Sequence, residues 1–312
     1  MPDYGVTRAT DLPERVRVYE VGARDGLQNE QALVPTEVKV AFLRRLLAAG
    51  HSAVETTSFV RPEWVPQLAD AAEVLAALGP APDGVRMPVL VPNRRGLDRA
   101  LAAGVAEVAV FASATETFAR KNLNRGLADS LDVLAATTRA AVEAGLTVRG
   151  YVSMCFGDPW EGAVDPAAVA RAAAVLHDAG AAEISLGDTI GVGTPGSVVT
   201  VLDAVTAAGV GVDDVAVHFH DTYGQALSNT VTALRSGVSC VDSSAGGLGG
   251  CPYAESATGN LATEDLLWAL DHLGVETGVD LASLVETSAW MATQLGRPSP
   301  SRVVNALATP VS

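Results

Sequence analysis

Lysine is nearly missing from this chain: Lys39 and Lys121 are the only two, and with abundant alanine this is a compositional bias that carries no functional weight. Cysteine is scarce too. Cys155, Cys240 and Cys251 lack metal-knuckle spacing and are too few for a disulfide framework, so a reducing, cytoplasmic setting is expected. No apolar run is long enough to span a bilayer. The first fifteen residues show no apolar or Arg/Ser-rich amphipathic segment, and the last five match neither a peroxisomal address nor a lipidation box, so no targeting signal is expected. Positive charge is also short: 21 basic against 36 acidic residues give a net charge of −15, which argues against nucleic-acid or anionic-membrane partners. An anionic small molecule must then meet a local positive patch.

What is present has a rhythm. Gly50, Gly104, Gly145, Gly180, Gly209 and Gly237 each close an amphipathic run and precede an apolar one, as glycines just past helix ends do. The strands so delimited are residues 16–22, 52–59, 85–92, 107–114, 146–154, 183–189, 214–221 and 240–246, with one helix spanning 63–78 and the eighth spanning 263–272. Eight β-then-α units without a linker predict a single domain over 1–312. Its core is a closed (β/α)8 TIM barrel over about 16–275, followed by a helical extension over about 276–305, centred on 281–294, and a frayed tail. An open doubly wound sheet is the alternative.

Only five histidines occur, and two of them, His218 and His220, sit at i and i+2 in a strand, which turns both imidazoles to one face. With Asp221 beside them they form half of a divalent-metal site, or else a pair of satisfied core histidines. The barrel discriminates, because chemistry in this architecture gathers at the carboxyl ends of the strands. Arg24 and Asp25, Glu55 and Thr57, Asp188, His218 and His220, and then Cys251 and Asn260 all fall at that one mouth. Gly191-Val192-Gly193-Thr194-Pro195-Gly196 matches a dinucleotide fingerprint, but it follows the sixth strand where that fingerprint belongs to a first βα turn. Its amides remain available to a carboxylate or phosphate at a helix start.

Three segments together, residues 19–30 (Tyr-Glu-Val-Gly-Ala-Arg-Asp-Gly-Leu-Gln-Asn-Glu), 218–224 (His-Phe-His-Asp-Thr-Tyr-Gly) and 246–253 (Gly-Gly-Leu-Gly-Gly-Cys-Pro-Tyr), closely resemble the hydroxymethylglutaryl-CoA lyases, a family of metal-dependent TIM-barrel lyases. The likeness runs from about Val16 to about Leu267 and includes residues 55–60, 185–191 and 259–265. It implies cleavage of the C2–C3 bond of 3-hydroxy-3-methylglutaryl-CoA to acetyl-CoA and acetoacetate. It also implies a divalent metal held by Asp25, His218, His220 and Asn260, for which two oxygen and two imidazole ligands suit Mg²⁺ or Mn²⁺ better than zinc.

By the same resemblance, Arg24 faces the thioester carbonyl where enolate charge develops, with simple pairing to Asp25 as the alternative. Cys251, in a glycine-dense loop, takes part in proton transfer. Glu55 and Asp188 orient a histidine, Arg24 or the substrate hydroxyl. Glu264 either supports the metal loop or stabilises a helix start. Lys121 and Asn122, in the loop after the fourth strand, meet the CoA phosphates or are simply solvated, and Arg94 and Arg95 are weaker candidates for the same contact. A homodimer is expected from the helix beyond the eighth unit. Met154-Cys155-Phe156 and Glu255-Ser256-Ala257 depart from the family pattern and bear on the acyl group. The competing functions are a related 3-hydroxyacyl-CoA lyase, an acyl-CoA Claisen synthase and a non-catalytic barrel. The pathway served, leucine degradation among others, is left open.

Overall fold

The computed structural model describes residues 5–250 and 259–308. In chain order the strands are β1 (Arg17–Glu20), β2 (Ala53–Val54), β3 (Thr57–Ser58), β4 (Val89–Leu90), β5 (Glu107–Ser113), β6 (Thr147–Ser153), β7 (Glu183–Asp188), β8 (Val215–Phe219) and β9 (Cys240–Ser243). All pairings between them are parallel, in the order β2-β1-β9-β8-β7-β6-β5-β4-β3. The two ends of that order, β2 and β3, are separated in sequence only by Glu55 and Thr56. Glu55 N–H donates to Glu20 O at 2.8 Å and Thr56 N–H to Pro88 O at 2.9 Å, so one bent stave joins both edges and the sheet closes. The nine segments are the eight staves expected from the sequence, and the open-sheet alternative is excluded.

The glycine stops behave as read: Gly50 and Gly180 take φ of 99° and 102°, a conformation costly for any residue with a Cβ. Other boundaries shift. The span expected as one helix over 63–78 is a turn, a short 3-10 segment (Pro66–Leu68) and a helix (Ala71–Leu78). The tail expected to fray carries a helix (Arg302–Leu307) whose cap is tied down. Ser301 Oγ donates to Asp265 at 2.7 Å, and the Arg302 and Val303 N–H groups donate to the same carboxylate.

Period-two alternation divides each strand between two cores. Outward residues such as Val108, Val110, Val148, Val152, Ile184, Val215 and Val217 pack with the helices into one apolar shell. Inside the barrel, small residues, tyrosines and charged side chains take much of the space that branched aliphatics usually fill. Arg149, fully buried, lies 3.6 Å from the centre of the Tyr19 ring, 2.5 Å from Asp242 and 3.3 Å from Glu183. A buried guanidinium is tolerable only with such partners, and this ionic plug forms the floor beneath the mouth.

Candidate active site

At the carboxyl end of β1 the chain enters a single π-helical turn, Gly22–Gly26, in which Val21 O accepts from Arg24 N–H (3.1 Å), Asp25 N–H (2.8 Å) and Gly26 N–H (3.1 Å). Such turns cluster at functional sites because they redirect consecutive side chains. A buried carboxylate enforces this one. Glu20 accepts from the N–H groups of Gly22 (2.7 Å) and Ala245 (2.9 Å) and from the Thr263 hydroxyl (2.7 Å). A Cβ at position 22 would lie 2.6 Å from that carboxylate, so a larger residue there would have to push Glu20 off its bonds.

The turn brings Arg24 and Asp25 together over the barrel. Arg24 donates from Nε to Glu55 Oε2 and from Nη1 to Asp25 Oδ1, both at 2.7 Å, and Tyr151 OH donates to the same Glu55 oxygen at 3.2 Å. The Arg24–Asp25 pair weighed as an alternative is therefore real, but it does not remove Arg24 from the site: Arg24 lines the cavity with Asp25, Tyr151, His218 and His220. Two carboxylates fix its fork from one side.

Asp25, His218 and His220 place one ligand atom each within 4.8 Å of one another. Asn260 joins them: its Nδ2 donates to Asp25 Oδ2 at 2.9 Å, and its backbone bridges to His220. His220 Nδ1 and Asn260 Oδ1 are buried and make no hydrogen bond among the described residues. Lone pairs so placed are costly unless something else binds them. One carboxylate and two imidazoles converging, with Asn260 bonded to that carboxylate and two buried acceptor atoms unsatisfied, fit a divalent cation. Protonation agrees. Burial pushes Asp25 up, but Arg24 first and then both imidazoles hold it down at about 2. Burial, with His218 adjacent, pushes His220 down to about 4. Both groups are thus in their ligand forms at neutral pH.

Not every expected residue joins. Asp221 turns away, accepting from Ala226 N–H at 3.0 Å and pairing with Arg302 at 3.0 Å. Asp188, expected to orient a histidine, Arg24 or the hydroxyl, instead accepts from the N–H groups of Val192 (3.0 Å) and Gly193 (2.9 Å). The cause is parity: on β7 Gly187 points inward and lines the cavity, so Asp188 points out. It also occupies two amides of the dinucleotide-like loop, which are not free for an anion. Lys121 and Asn122 lie in a helix (Glu116–Leu123) and not in a loop, yet both reach the cavity.

Cys251 and residues 255–257 lie outside the described residues. The base of their loop is firmly held: Gly246 N–H donates to both oxygens of Glu264 (3.0 and 2.9 Å), which also binds the Ser288 hydroxyl. Glu264 thus ties down Gly246 and also stands in the first turn of its helix, so both expected contacts are present. Burial raises it from 4.5 to about 8, and Glu20 likewise to about 7. Carboxyls that hold their protons more tightly when folded contribute stability below about pH 4.5, and that contribution is lost as pH rises through about 7 to 8. The Tm of Glu264→Gln, measured by calorimetry between about pH 5 and pH 8, should therefore climb relative to the wild type as pH increases. A constant difference would mean that Glu264 does not titrate there.

The sequence reading missed Asp242, Arg149, Tyr151 and Glu20. The first three stood at inward positions of recognised strands, where a polar residue in an apolar run was the available signal.

The cavity, about 1080 Å³, extends outward to a rim bearing Arg61, Arg95, Lys121 and Arg125. Among the described residues none of these four cations forms an ion pair, although Lys121 packs 4.9 Å from the Trp160 ring centre. This is the local positive patch that a chain of charge −15 needs to receive an anion. Arg94, by contrast, is engaged with Asp98.

A family model described as HMGL-like matches residues 15–291. The chain belongs to the HMGL-like family. The match covers the barrel, every candidate ligand, Arg24, Glu55, Cys251 and Glu264, and most of the helix Leu281–Leu295. Its HMGL-like relatives include two mitochondrial hydroxymethylglutaryl-CoA lyases, each matched over 95% of this chain. The Arabidopsis thaliana enzyme is 53% identical, with 63% of its own length covered, and the Bos taurus enzyme is 53% identical, with 90% covered. Among solved structures, hydroxymethylglutaryl-CoA lyase from Pseudomonas aeruginosa superposes with a TM-score of 0.92 at 46% identity, covering 96% of this chain and 99% of its own. An HMG-CoA lyase from A. baumannii, in complex with coenzyme A and 3-methylmalate, gives 0.90 at 31% identity, covering 98% and 99%.

Proposed function

We propose that this protein is a hydroxymethylglutaryl-CoA lyase that cleaves 3-hydroxy-3-methylglutaryl-CoA to acetyl-CoA and acetoacetate, with Mg²⁺ or Mn²⁺ held by Asp25, His218, His220 and Asn260. The observation that carries this reading is the convergence of Asp25, His218 and His220, with Asn260 bonded to Asp25, beside a doubly anchored Arg24 in a cavity whose rim is cationic. When bound, the cation supplies Lewis acidity to the substrate's tertiary hydroxyl and carboxylate oxygens, easing loss of the hydroxyl proton.

The chain's own groups do the rest. The hydroxyl proton passes to water in the cavity; as the C2–C3 bond breaks, its electron pair passes to the thioester as an enolate, the alkoxide oxygen becomes the ketone of acetoacetate, and one proton is returned at C2. Arg24, its Nε and Nη1 tied to Glu55 and Asp25, offers the remainder of its guanidinium to the enolate oxygen without reorganising during the step. Tyr151 steadies Glu55, and so indirectly Arg24. Cys251, at the end of the loop whose base Glu264 anchors, is our candidate for proton delivery to C2. Arg61, Arg95, Lys121 and Arg125, with Asn122, would meet the CoA phosphates. We read the assembly as a homodimer, from the helices beyond the eighth unit, and the compartment as cytosolic, from the cysteine usage.

Purified protein should release acetoacetate from hydroxymethylglutaryl-CoA, stop on adding EDTA and recover with Mg²⁺ or Mn²⁺. Release that ignored the chelator would remove the cation from the reaction. Other 3-hydroxyacyl-CoA thioesters, and acetyl-CoA with 2-oxo acids, belong in the same assay. Turnover confined to those would replace the lyase reading with a related lyase or a synthase.

A further inference from the structure

His218 and His220 leave one strand side by side, their ring centres 5.4 Å apart, but their surroundings differ. His220 Nδ1 has no hydrogen-bond partner among the described residues, whereas His218 Nδ1 stands 3.2 Å from Asp242 Oδ2. Asp242 is itself fully determined. Arg149 Nη2 donates to its Oδ1 at 2.5 Å, the Ser185 hydroxyl donates to its Oδ2 at 2.9 Å, and Arg149 is locked in turn by Glu183 and the face of Tyr19. A carboxylate paired with a guanidinium and accepting from a hydroxyl is purely an acceptor, so the ring nitrogen facing it must donate. In the neutral ring that leaves Nε2 bare on the cavity side, 4.0 Å from Asp25 Oδ2.

We propose that Asp242, braced by Arg149 and Ser185, is a positioning residue that fixes the ring of His218 with its proton on Nδ1 and its Nε2 lone pair toward the cation site. The ionic plug of the barrel, which otherwise looks purely structural, thereby sets the ligand geometry at the mouth. A carboxylate behind a metal-binding histidine orients the ring and makes it more basic, and losing it typically costs about 10- to 100-fold in metal affinity. The functional consequence rests on the reading of His218 as a ligand. The orientation of the ring does not.

The test is therefore made on two readouts. With ¹⁵N-labelled histidine, the metal-free wild type, at a pH alkaline enough to neutralise the ring, should show His218, assigned by its loss in His218→Ala, as the Nδ1–H tautomer. In Asp242→Asn, whose side-chain amide can donate to the ring, that signal should shift toward the Nε2–H form, while Mn²⁺ affinity followed by electron paramagnetic resonance falls about 10- to 100-fold. Asp242→Asn also leaves Arg149 short of a charge, so Ser185→Ala serves as a milder probe if that variant does not fold. It removes one hydrogen bond to Asp242, keeps the ion pair, and should weaken Mn²⁺ binding by roughly threefold to tenfold. A folded Asp242→Asn with unchanged His218 signals and unchanged Mn²⁺ affinity overturns the proposal, even if its Tm drops, as does an unaltered Ser185→Ala where that variant must decide. If His218→Ala binds Mn²⁺ as tightly as the wild type, the ligand reading fails, and the tautomer spectrum alone decides whether Asp242 sets the ring.

Discussion

Arg24→Gln is expected to lower kcat by about 10²–10³ while leaving Mn²⁺ affinity within about threefold of the wild type, the loss typical of removing one preorganised donor. Arg24 is not among the groups whose ligand atoms converge on the cation site, yet its Nη1 lies 2.7 Å from the one carboxylate that is. On the proposed reading the guanidinium would meet the developing enolate charge, beside the cation and not bound to it. Glutamine is too short and has too few donors to reach Glu55 and Asp25 together and still face the substrate. The variant should also fold. Stripping the cation from a buried ion pair costs about 3–5 kcal/mol when the partner stays charged, but Glu55 can take up a proton, since burial already raises it above the ordinary carboxylate range. It keeps its bond from Tyr151. Steady-state kinetics alongside Mn²⁺ titration decides the matter. Wild-type turnover would end the enolate role, and a parallel collapse of Mn²⁺ binding would make Arg24 a support for Asp25 instead.

How far the sequence discloses such a site depends on parity and on partners. The closed barrel was legible because apolar runs and helix-ending glycines are local signals, and eight of them in succession leave few other architectures. His218 and His220 were legible for the same reason: spacing of two within a strand fixes a shared face. Asp188 shows where this stops. Its rank at a strand's carboxyl end suggested the mouth, but Gly187 takes the inward position, so Asp188 faces the loop at Val192 and Gly193. Applying the alternation consistently would have excluded it and found Asp242, Arg149 and Tyr151. Which of these touch one another was beyond reach, because Arg149 meets Asp242 and Tyr19 across the barrel at separations of about a hundred residues, a matter of register that no local pattern encodes. The anchoring of the tail through Asp265 was hidden for the same reason, since Ser301 is 36 residues away in sequence.

Parity and partners also define the sharpest loss of function. Asp25→Asn is expected to weaken Mn²⁺ binding by more than about 100-fold, beyond what removing a supporting residue costs, and to leave an activity that no longer responds to EDTA. Two effects combine. The change removes the one anionic group among the four proposed ligands, so attraction for a dication falls steeply at a partly buried site. It also creates a donor conflict. In the wild type Asn260 Nδ2 donates to both Asp25 Oδ2 (2.9 Å) and Leu248 O (3.0 Å). An amide placed at Asp25 Oδ2 would point N–H at N–H. Relief requires one of the two side chains to rotate: turning Asn260 sacrifices the Leu248 contact and withdraws its Oδ1 from the cation, and turning the new amide at position 25 sets its NH₂ against Arg24. Each route removes a second ligand or a second hydrogen bond, so the variant cannot settle into a neutral copy of the site. Mn²⁺ titration by electron paramagnetic resonance, with acetoacetate release measured in parallel, checks both halves. Affinity within about threefold of the wild type would show that the cation is held elsewhere, and with it the assignment of His218, His220 and Asn260 would fall.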